Sequence, residues 1–397
     1  MFYIAQKMIM GDRTKYIGLL LGIAFTAFLV TFAASYFAGF MTRGFALVSE
    51  NRSADVWVMD PAVDSPEQTI NMPDSALERV RSIDGVRYAV PLSLGDVNVR
   101  FPNGRFQSFQ VIGVDDATLA GAPTLRDGGS PMVLRVPDAV IVDAGETSGK
   151  LATPRRKIDQ WPHDGPHLDV PMRELMAGDE LLANGRRIKV VGRSQTIPRF
   201  PPRPLIYTSY SNARRIQPAE PNVLTFVLVK AQAGVSAQQL AQRIQRRTGM
   251  RARAAQDFKS DTVRWYLINS EDVGDMVAMM LLAMTVGFGV TGVMLYMFTY
   301  ENLKQYAVLK AMGAPRRLLQ VMIFTQSGVS ALLGSGIGIG ICAIIGELVS
   351  ITGFPFRMMW FTPVFGVLGV MIVSLTAAAI SVRPVLKLEP GIVFAGR

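Results

Sequence analysis

The stretch Ile17-Gly-Leu-Leu-Leu-Gly-Ile-Ala-Phe-Thr-Ala-Phe-Leu-Val-Thr-Phe-Ala-Ala-Ser-Tyr-Phe-Ala-Gly-Phe40 runs for 24 residues without a charge. At 1.5 Å per residue a helix of that length reaches roughly 36 Å, enough to cross a hydrocarbon core of about 30 Å with some tilt. Three further runs follow: 276–299, uncharged and rich in Met, Val and Leu; 318–348, whose single acid, Glu347, lies near its end; and 361–382, uncharged and bounded by Arg383-Pro384. Buried helices of a soluble core carry shorter apolar stretches, so four transmembrane helices are expected. A cleaved signal peptide is the alternative for the first run, with Ala33-Ala34-Ser35 as its cleavage-like site. The run is longer than an h-region of roughly 7–15 residues, however, and the basic residues before it are spread out, so an uncleaved anchor is the preferred reading.

The whole chain of 397 residues is 49% hydrophobic and 18% charged, against roughly 25% charged in an average soluble domain. That composition excludes disorder, and the single cysteine, Cys342, excludes a disulfide scaffold. Short basic segments set the expected orientation: Lys7, Arg13 and Lys15 before the first run; Lys304, Lys310, Arg316 and Arg317 between the second and third; Arg383, Lys387 and Arg397 after the fourth. The positive-inside rule then puts both termini in the cytoplasm and 41–275 outside. That long segment is near balance, with 30 basic and 27 acidic residues, so the net charge of +10 sits mostly on the cytoplasmic rim. Anionic lipid headgroups and an acidic partner surface are both able to attract such a rim, and no nucleic acid partner is implied.

Between the first two runs, period-two alternation predicts strands at 55–59, 96–100, 109–114, 139–142, 188–192 and 224–230. Helices are expected at 74–82, after Pro73, and at 236–247, bounded by Ser236 and Gly249. Strand 224–230, helix 236–247 and a short strand near 250–254 form an α/β plait element. The Gly- and Pro-rich middle, 118–204, predicts an inserted β-rich lobe with long loops. The expected fold is thus an α-helical membrane protein with four transmembrane helices and a large α+β extracytoplasmic domain, a plait-like lobe near the membrane plus an inserted β-rich lobe farther out. Its segments are a cytoplasmic amphipathic helix over 1–16 (Phe2, Ile4, Met8 and Ile9 on its apolar side), a first span over 17–40, the outer domain over 41–275, a second span over 276–299, a cytoplasmic connection over 300–317, a third span over 318–348, an outer loop over 349–360, a fourth span over 361–382 and a cytoplasmic tail over 383–397.

Catalytic motifs are not found. Gly149-Lys150 is followed by Leu151 and has Ala144 where a phosphate-binding loop needs its first Gly, so the chain is not expected to hydrolyse ATP; G-x-S-x-G and H-E-x-x-H do not occur either. His163 and His167 stand four apart, but Pro162 and Pro166 break the helix that would align them as metal ligands. Glu347 reads either as a functional intramembrane acid or as a residue reaching the interface. In the third span, Gly334 with Gly338 and Gly336 with Gly340 are overlapping small-xxx-small pairs, suited to close helix packing within the subunit or across a dimer.

The informative connection is Tyr300-Glu-Asn-Leu-Lys-Gln-Tyr-Ala-Val-Leu-Lys-Ala-Met-Gly-Ala-Pro-Arg-Arg317. Residues 301–312 favour helix, Gly313 suits a left-handed C-terminal cap, and Pro315 prevents continuation. A short helix along the membrane surface is expected, with Lys304 and Lys310 toward headgroups or a partner and Leu303, Tyr306 and Leu309 as apolar knobs. Within it, Tyr306-Ala-Val-Leu-Lys-Ala-Met-Gly-Ala314 resembles the E-x-[AG]-x-L-[KR]-A-[LM]-G-A signature of the MacB/FtsX-like ABC transporter permeases, departing at Gln305-Tyr306, where many relatives carry an acid. The tail Leu386-Lys-Leu-Glu-Pro390 resembles that superfamily's ending, and the layout matches it over the full length; stretches 248–258 and 306–314 look most similar to DevC-like permeases.

The resemblance implies a non-catalytic permease subunit without a cofactor of its own, ATP being bound by a separate ABC ATPase. It implies a homodimer with two ATPase copies, coupled to them through Leu303, Lys304, Tyr306, Leu309, Lys310, Gly313 and Pro315, and driving ATP-dependent efflux by mechanotransmission. DevC-like systems add a periplasmic membrane-fusion adaptor and a TolC-type outer-membrane channel, and the expected location is the bacterial inner membrane. An FtsX-like regulator of a cell-wall hydrolase, whose outer domain is usually much smaller, a lipoprotein-release permease, and a membrane receptor without an ATPase are the alternatives.

Overall fold

The computed structural model describes residues 13–126, 128–145, 147, 149–155, 160–217 and 222–387. The expected amphipathic helix over 1–16 lies outside the described residues except for 13–16, and the Leu388-Glu389-Pro390 part of the tail motif lies outside them altogether. The chain divides into two compact units, one of them Met41–Asn269 and the other made of the described residues before and after it.

In the second unit, four helices are long and apolar enough to cross a membrane: α1 (Arg13–Gly44, which ends in the other unit), α7 (Glu271–Glu301), α9 (Arg316–Ser350) and α10 (Phe361–Lys387). At 27 to 35 residues they extend about 40–52 Å, longer than the apolar runs alone. The two largest differences from the expected spans lie at the start of α7 and the end of α10. Helix α7 begins at Glu271, five residues before the apolar run, because Glu271 and Asp272 in its first turn complement the helix dipole. Helix α10 does not stop at Arg383-Pro384 but continues to Lys387, and Val385 beyond the proline is buried in a cluster with Tyr306, Leu319, Ile323, Ala378 and Val382. Burial of that last turn offsets the backbone hydrogen bond that Pro384 removes.

Helix α1 packs against the other three spans. An added Cβ at Gly338 would stand 2.2 Å from the Ala24 carbonyl oxygen, and one at Gly334 would stand 2.5 Å from Ile23 Cγ2. Thr26 Oγ1 donates to Gly22 O at 3.0 Å and lies 2.9 Å from Thr291 Oγ1 on α7. The turn after α9 folds back on α1, where Phe354 stacks on Tyr36 with ring centroids 4.5 Å apart and the Arg357 N–H donates to Ser35 O at 3.1 Å.

The unit Met41–Asn269 contains α2 (Ala46–Glu50), β1 (Val56–Met59), α3 (Ser75–Arg81), β2 (Val86–Arg100), β3 (Phe106–Val114), a 3-10 turn (Pro131–Arg135), β4 (Ala139–Asp143), β5 (Ala152–Pro154), β6 (Met172–Glu174), β7 (Glu180–Ala183), β8 (Arg186–Arg193), β9 (Leu205–Ser209), α4 (Tyr210–Ile216), β10 (Phe226–Ala231), α5 (Ala237–Thr248), β11 (Arg251–Ala254) and α6 (Ala255–Asn269). Strands β11-β1-β10-β2 form an antiparallel sheet with α3 and α5 on one face, which is the expected α/β plait. The ring β2-β3-β9-β4-β8-β7 closes by pairing Val99 with Ala183 and Arg100 with Leu182, giving a six-stranded barrel inserted between β2 and β10. Both lobes therefore share β2, whose 15 residues serve the plait in its first half and the barrel in its second.

The strands alternate between two cores. Val56, Val58, Val227 and Val229 face α3 and α5, while Trp57, Met59, Phe226 and Leu228 face the opposite layer with Phe258 of α6. Burial on both faces explains why these segments read as nearly unbroken apolar runs. The barrel is filled by Val97, Phe109, Val111, Val140, Ile188 and Ile206, among others. Trp57, Phe226 and Phe258 hold α6 against the sheet, with ring centroids 5.4–6.1 Å apart.

Candidate coupling surface

Between α7 and α9 lies a short helix, α8 (Leu303–Ala311). Asn302 separates it from α7, its Nδ2 donating back to Phe298 O at 2.8 Å. At the other end, Gly313 N–H donates to Lys310 O and Ala314 N–H to Leu309 O, both at 3.1 Å, the paired bonds of a Schellman cap. Gly313 has φ +90°, the left-handed geometry that the sequence assigns to it. Pro315 then precedes α9.

Helix α8 is mounted on α9 and α10. Tyr306, 1% exposed, sits in the buried cluster and its hydroxyl meets Gln326 of α9, while Leu303, Leu309 and Ala314 pack against the same cluster half-buried. Lys310 Nζ donates to Leu386 O of α10 at 3.1 Å. The end of α7 is held differently: Glu301 pairs with Lys15 of α1 at 3.2 Å.

This packing redistributes the expected roles. Tyr306 is not an outward knob, because its ring completes the cluster with Leu319, Ile323 and Val382; Leu303 and Leu309 are largely committed to the same packing, and Lys310 to the end of α10. The exposed residues are Lys304, Gln305, Val308 (44% exposed), Ala311 and Met312 (71% exposed), followed by Gly313, Pro315, Arg316 and Arg317. Lys304, Val308 and Met312 stand four apart and form one face. The exposure of Val308 and Met312 is not expected from the sequence, since apolar residues surround α8 and only their i, i+4 relation to Lys304 hints at a shared face. Arg316 and Arg317 occupy the first turn of α9, where positive charge opposes the helix dipole, so they do not serve helix stability.

The glycine pairs of α9 separate by face. Gly334 and Gly338 are the close-approach positions against α1, whereas an added Cβ at Gly336 or Gly340 would meet nothing within 4 Å. Glu347 is exposed near the C-terminal end of α9. His167 Nε2 lies 3.4 Å from Asp164 Oδ2 on the surface, and among the described residues no group of three or more His, Cys, Asp or Glu converges on a metal site.

Two family models match the chain: the MacB-like periplasmic core domain over residues 17–247 and the FtsX-like permease C-terminal over 277–390. The first alone covers more than half of the chain, and the chain belongs to the MacB/FtsX-like family of ABC transporter permeases, multi-pass membrane proteins partnered by ABC ATPases. Among solved structures it is similar to the periplasmic region of MacB from Actinobacillus actinomycetemcomitans, at 13% identity over 55% of this chain and 96% of that one, with a TM-score of 0.37. It is similar also to the extracellular domain of the noncanonic ABC-type transporter YknZ from Gram-positive bacteria, at 12% identity over 51% of this chain and 98% of that one (TM-score 0.33). A domain of a permease protein from Porphyromonas gingivalis matches at 13% identity over 51% and 89% of the two chains, with a TM-score of 0.31. Comparison with curated proteins returns no match.

Proposed function

We propose that this chain is the non-catalytic transmembrane subunit of an ATP-driven exporter, acting as a homodimer in the bacterial inner membrane with both termini in the cytoplasm. Two copies of a separate ABC ATPase bind and hydrolyse ATP. Each seats the exposed face of one α8, and its closure on ATP moves the spans by mechanotransmission. The outer domain then works with a periplasmic membrane-fusion adaptor and a TolC-type outer-membrane channel, so substrate is handled in the periplasm and need not pass between the spans.

The observation that carries this reading is the mounting of α8. A helix capped at Gly313, riveted to α9 through Tyr306 and to α10 through Lys310, presents Lys304, Val308 and Met312 on its exposed side. Apolar knobs beside a basic residue on a rigid short helix suit a groove on a protein partner. The exposed Arg316 and Arg317 favour the cytoplasmic side by the positive-inside rule. The test is copurification of the ABC ATPase with the full chain in detergent. Association that is lost in Val308→Asp/Met312→Asp supports the proposal, and unchanged association overturns it.

A further inference from the structure

Within the unit Met41–Asn269, the loop 194–204 between β8 and β9 holds a buried ion pair. Arg199 is 3% exposed; its Nη2 donates to Glu50 Oε2 at 2.5 Å and to the Tyr207 hydroxyl at 3.2 Å. The Tyr207 hydroxyl donates in turn to Glu50 Oε2 at 3.4 Å, and the other carboxylate oxygen, Oε1, accepts the Ile197 N–H at 2.7 Å. Burial works against the charge of Arg199, but Tyr207 and Glu50 outweigh it and hold the guanidinium above its usual range. Three residues before Ile197 the same loop is tied to the barrel, where Asp143 Oδ2 at the end of β4 accepts Ser194 Oγ at 2.9 Å and the Thr196 N–H at 2.7 Å. Tyr266 of α6 donates to Phe200 O at 3.4 Å.

The chain positions of these anchors are informative. Glu50 ends α2, six residues after the end of α1, and Tyr266 lies five residues before the start of α7. Thus both chain segments that lead to the first two spans hold one loop. That loop is bound to β4 and continues directly into β9, two neighbouring strands of the barrel.

We propose that Glu50 and Arg199 are positioning residues of a mechanical relay, which carries displacement of the first span through loop 194–204 into β4 and β9 of the barrel. This inference rests on the proposed function, in which movement of the spans drives the outer domain. An apolar contact would serve packing as well, since buried ion pairs carry a desolvation penalty that well-packed hydrophobic residues avoid. Charge-assisted hydrogen bonds differ in being short and directional, so they resist sliding. Glu50 engages a guanidinium and a backbone N–H at once, which fixes both a side chain and the loop backbone. The Arg199 guanidinium also donates from Nη1 to Ile197 O at 3.4 Å, so its bonds reach the loop backbone as well as Glu50 and Tyr207.

The test uses the full chain with its ATPase in lipid nanodiscs, with amide hydrogen exchange measured without nucleotide and with ATP plus vanadate. In the wild type, nucleotide should change exchange at α8, in loop 194–204 and at 139–143. In Glu50→Met/Arg199→Met, which removes both charges without stranding one, the response at α8 should persist and that at 139–143 should fall about fivefold or more, the lower end of ordinary site-to-site coupling. Glu50→Gln, which keeps shape and an acceptor for the Ile197 N–H, should weaken the 139–143 response in the same direction and covers the case in which the double variant does not fold. An undiminished response at 139–143 in a folded variant, with α8 responding, overturns the relay alone. No nucleotide response at α8 in the wild type overturns the proposed function, and the relay with it.

Discussion

Tyr306 donates a 2.6 Å hydrogen bond to Oε1 of Gln326, twenty residues farther along and on the next helix, and both side chains are buried. The bond ties α8 to α9 rather than leaving it a loose connection. Tyr306→Phe keeps the ring in its cluster and removes only the donor. It should lower stability by about 1 kcal/mol or more, because the buried amide oxygen loses a partner it cannot replace with water. Thermal unfolding of the full chain in detergent measures this, and an unchanged midpoint would mean that the bond does not hold α8 in place.

Val308 and Met312 should behave in the opposite way. Both are exposed, so Val308→Asp and Met312→Asp should alter stability by no more than about 0.5 kcal/mol. Their effect should fall on the partner: buried at an interface, an unpaired carboxylate should reduce ATPase affinity about tenfold or more. Titration of the ATPase onto immobilised permease distinguishes this from the Tyr306 variant, which should lose stability first.

Gly313 has φ +90° with open space around its Cβ position, so substitution there meets backbone strain rather than a clash. Gly313→Val should cost about 1–2 kcal/mol locally and fray the last turn of α8. The expected outcome is an assembled complex in which ATP hydrolysis no longer drives transport. Hydrogen exchange over residues 308–314 should rise, and normal transport by this variant would show that α8 is not the coupling element.

The two glycine pairs of α9 offer a matched comparison. Gly338→Ala would place a methyl 2.2 Å from the Ala24 carbonyl oxygen and should destabilise the bundle by about 1–3 kcal/mol through forced separation of α1 and α9. Gly340→Ala meets nothing within 4 Å and should leave the subunit as stable or slightly more so, alanine being the better helix former. Equal unfolding midpoints for the two variants would contradict the assignment of Gly334 and Gly338 to the α1 contact.

Glu67 supplies a pH signature for the unit Met41–Asn269. Burial raises its pKa above 4.5, against the opposing pull of the paired Arg203 and of Arg199, with Asp96 adding slightly to the rise. The folded state therefore holds this proton more tightly than the unfolded chain does. Its contribution to stability is fully present below pH 4.5 and is lost as pH rises through the higher folded value. Glu67→Gln cannot lose a proton, so its stability relative to wild type should increase as pH is raised from about 4.5 to 7. Paired thermal scans across that range check the sign, and a constant difference would rule it out.

Several of these features follow from local physics and are legible in the residues themselves. The four spans are set by runs of uncharged residues long enough for the bilayer, and α8 by good helix formers ahead of Gly313 and Pro315. The plait halves around α3 and α5 follow from short-range alternation and capping. What the chain does with these pieces depends on partners distant in sequence. The orientation of α8 is one case, because apolar residues occur around its whole circumference and only the pocket made by Leu319, Ile323, Val382 and Val385 selects Tyr306 over Val308 for burial. The glycines of α9 are another: both pairs share one spacing, and only the approach of α1 decides which pair is filled. The barrel closure of β2 with β7, and the pairing of Glu50 with Arg199 across 149 residues, leave no mark in local composition. Burial and ion pairing are properties of the assembled surface, so hydrophobic length and turn chemistry specify the elements, while only tertiary packing decides which faces remain open for a partner.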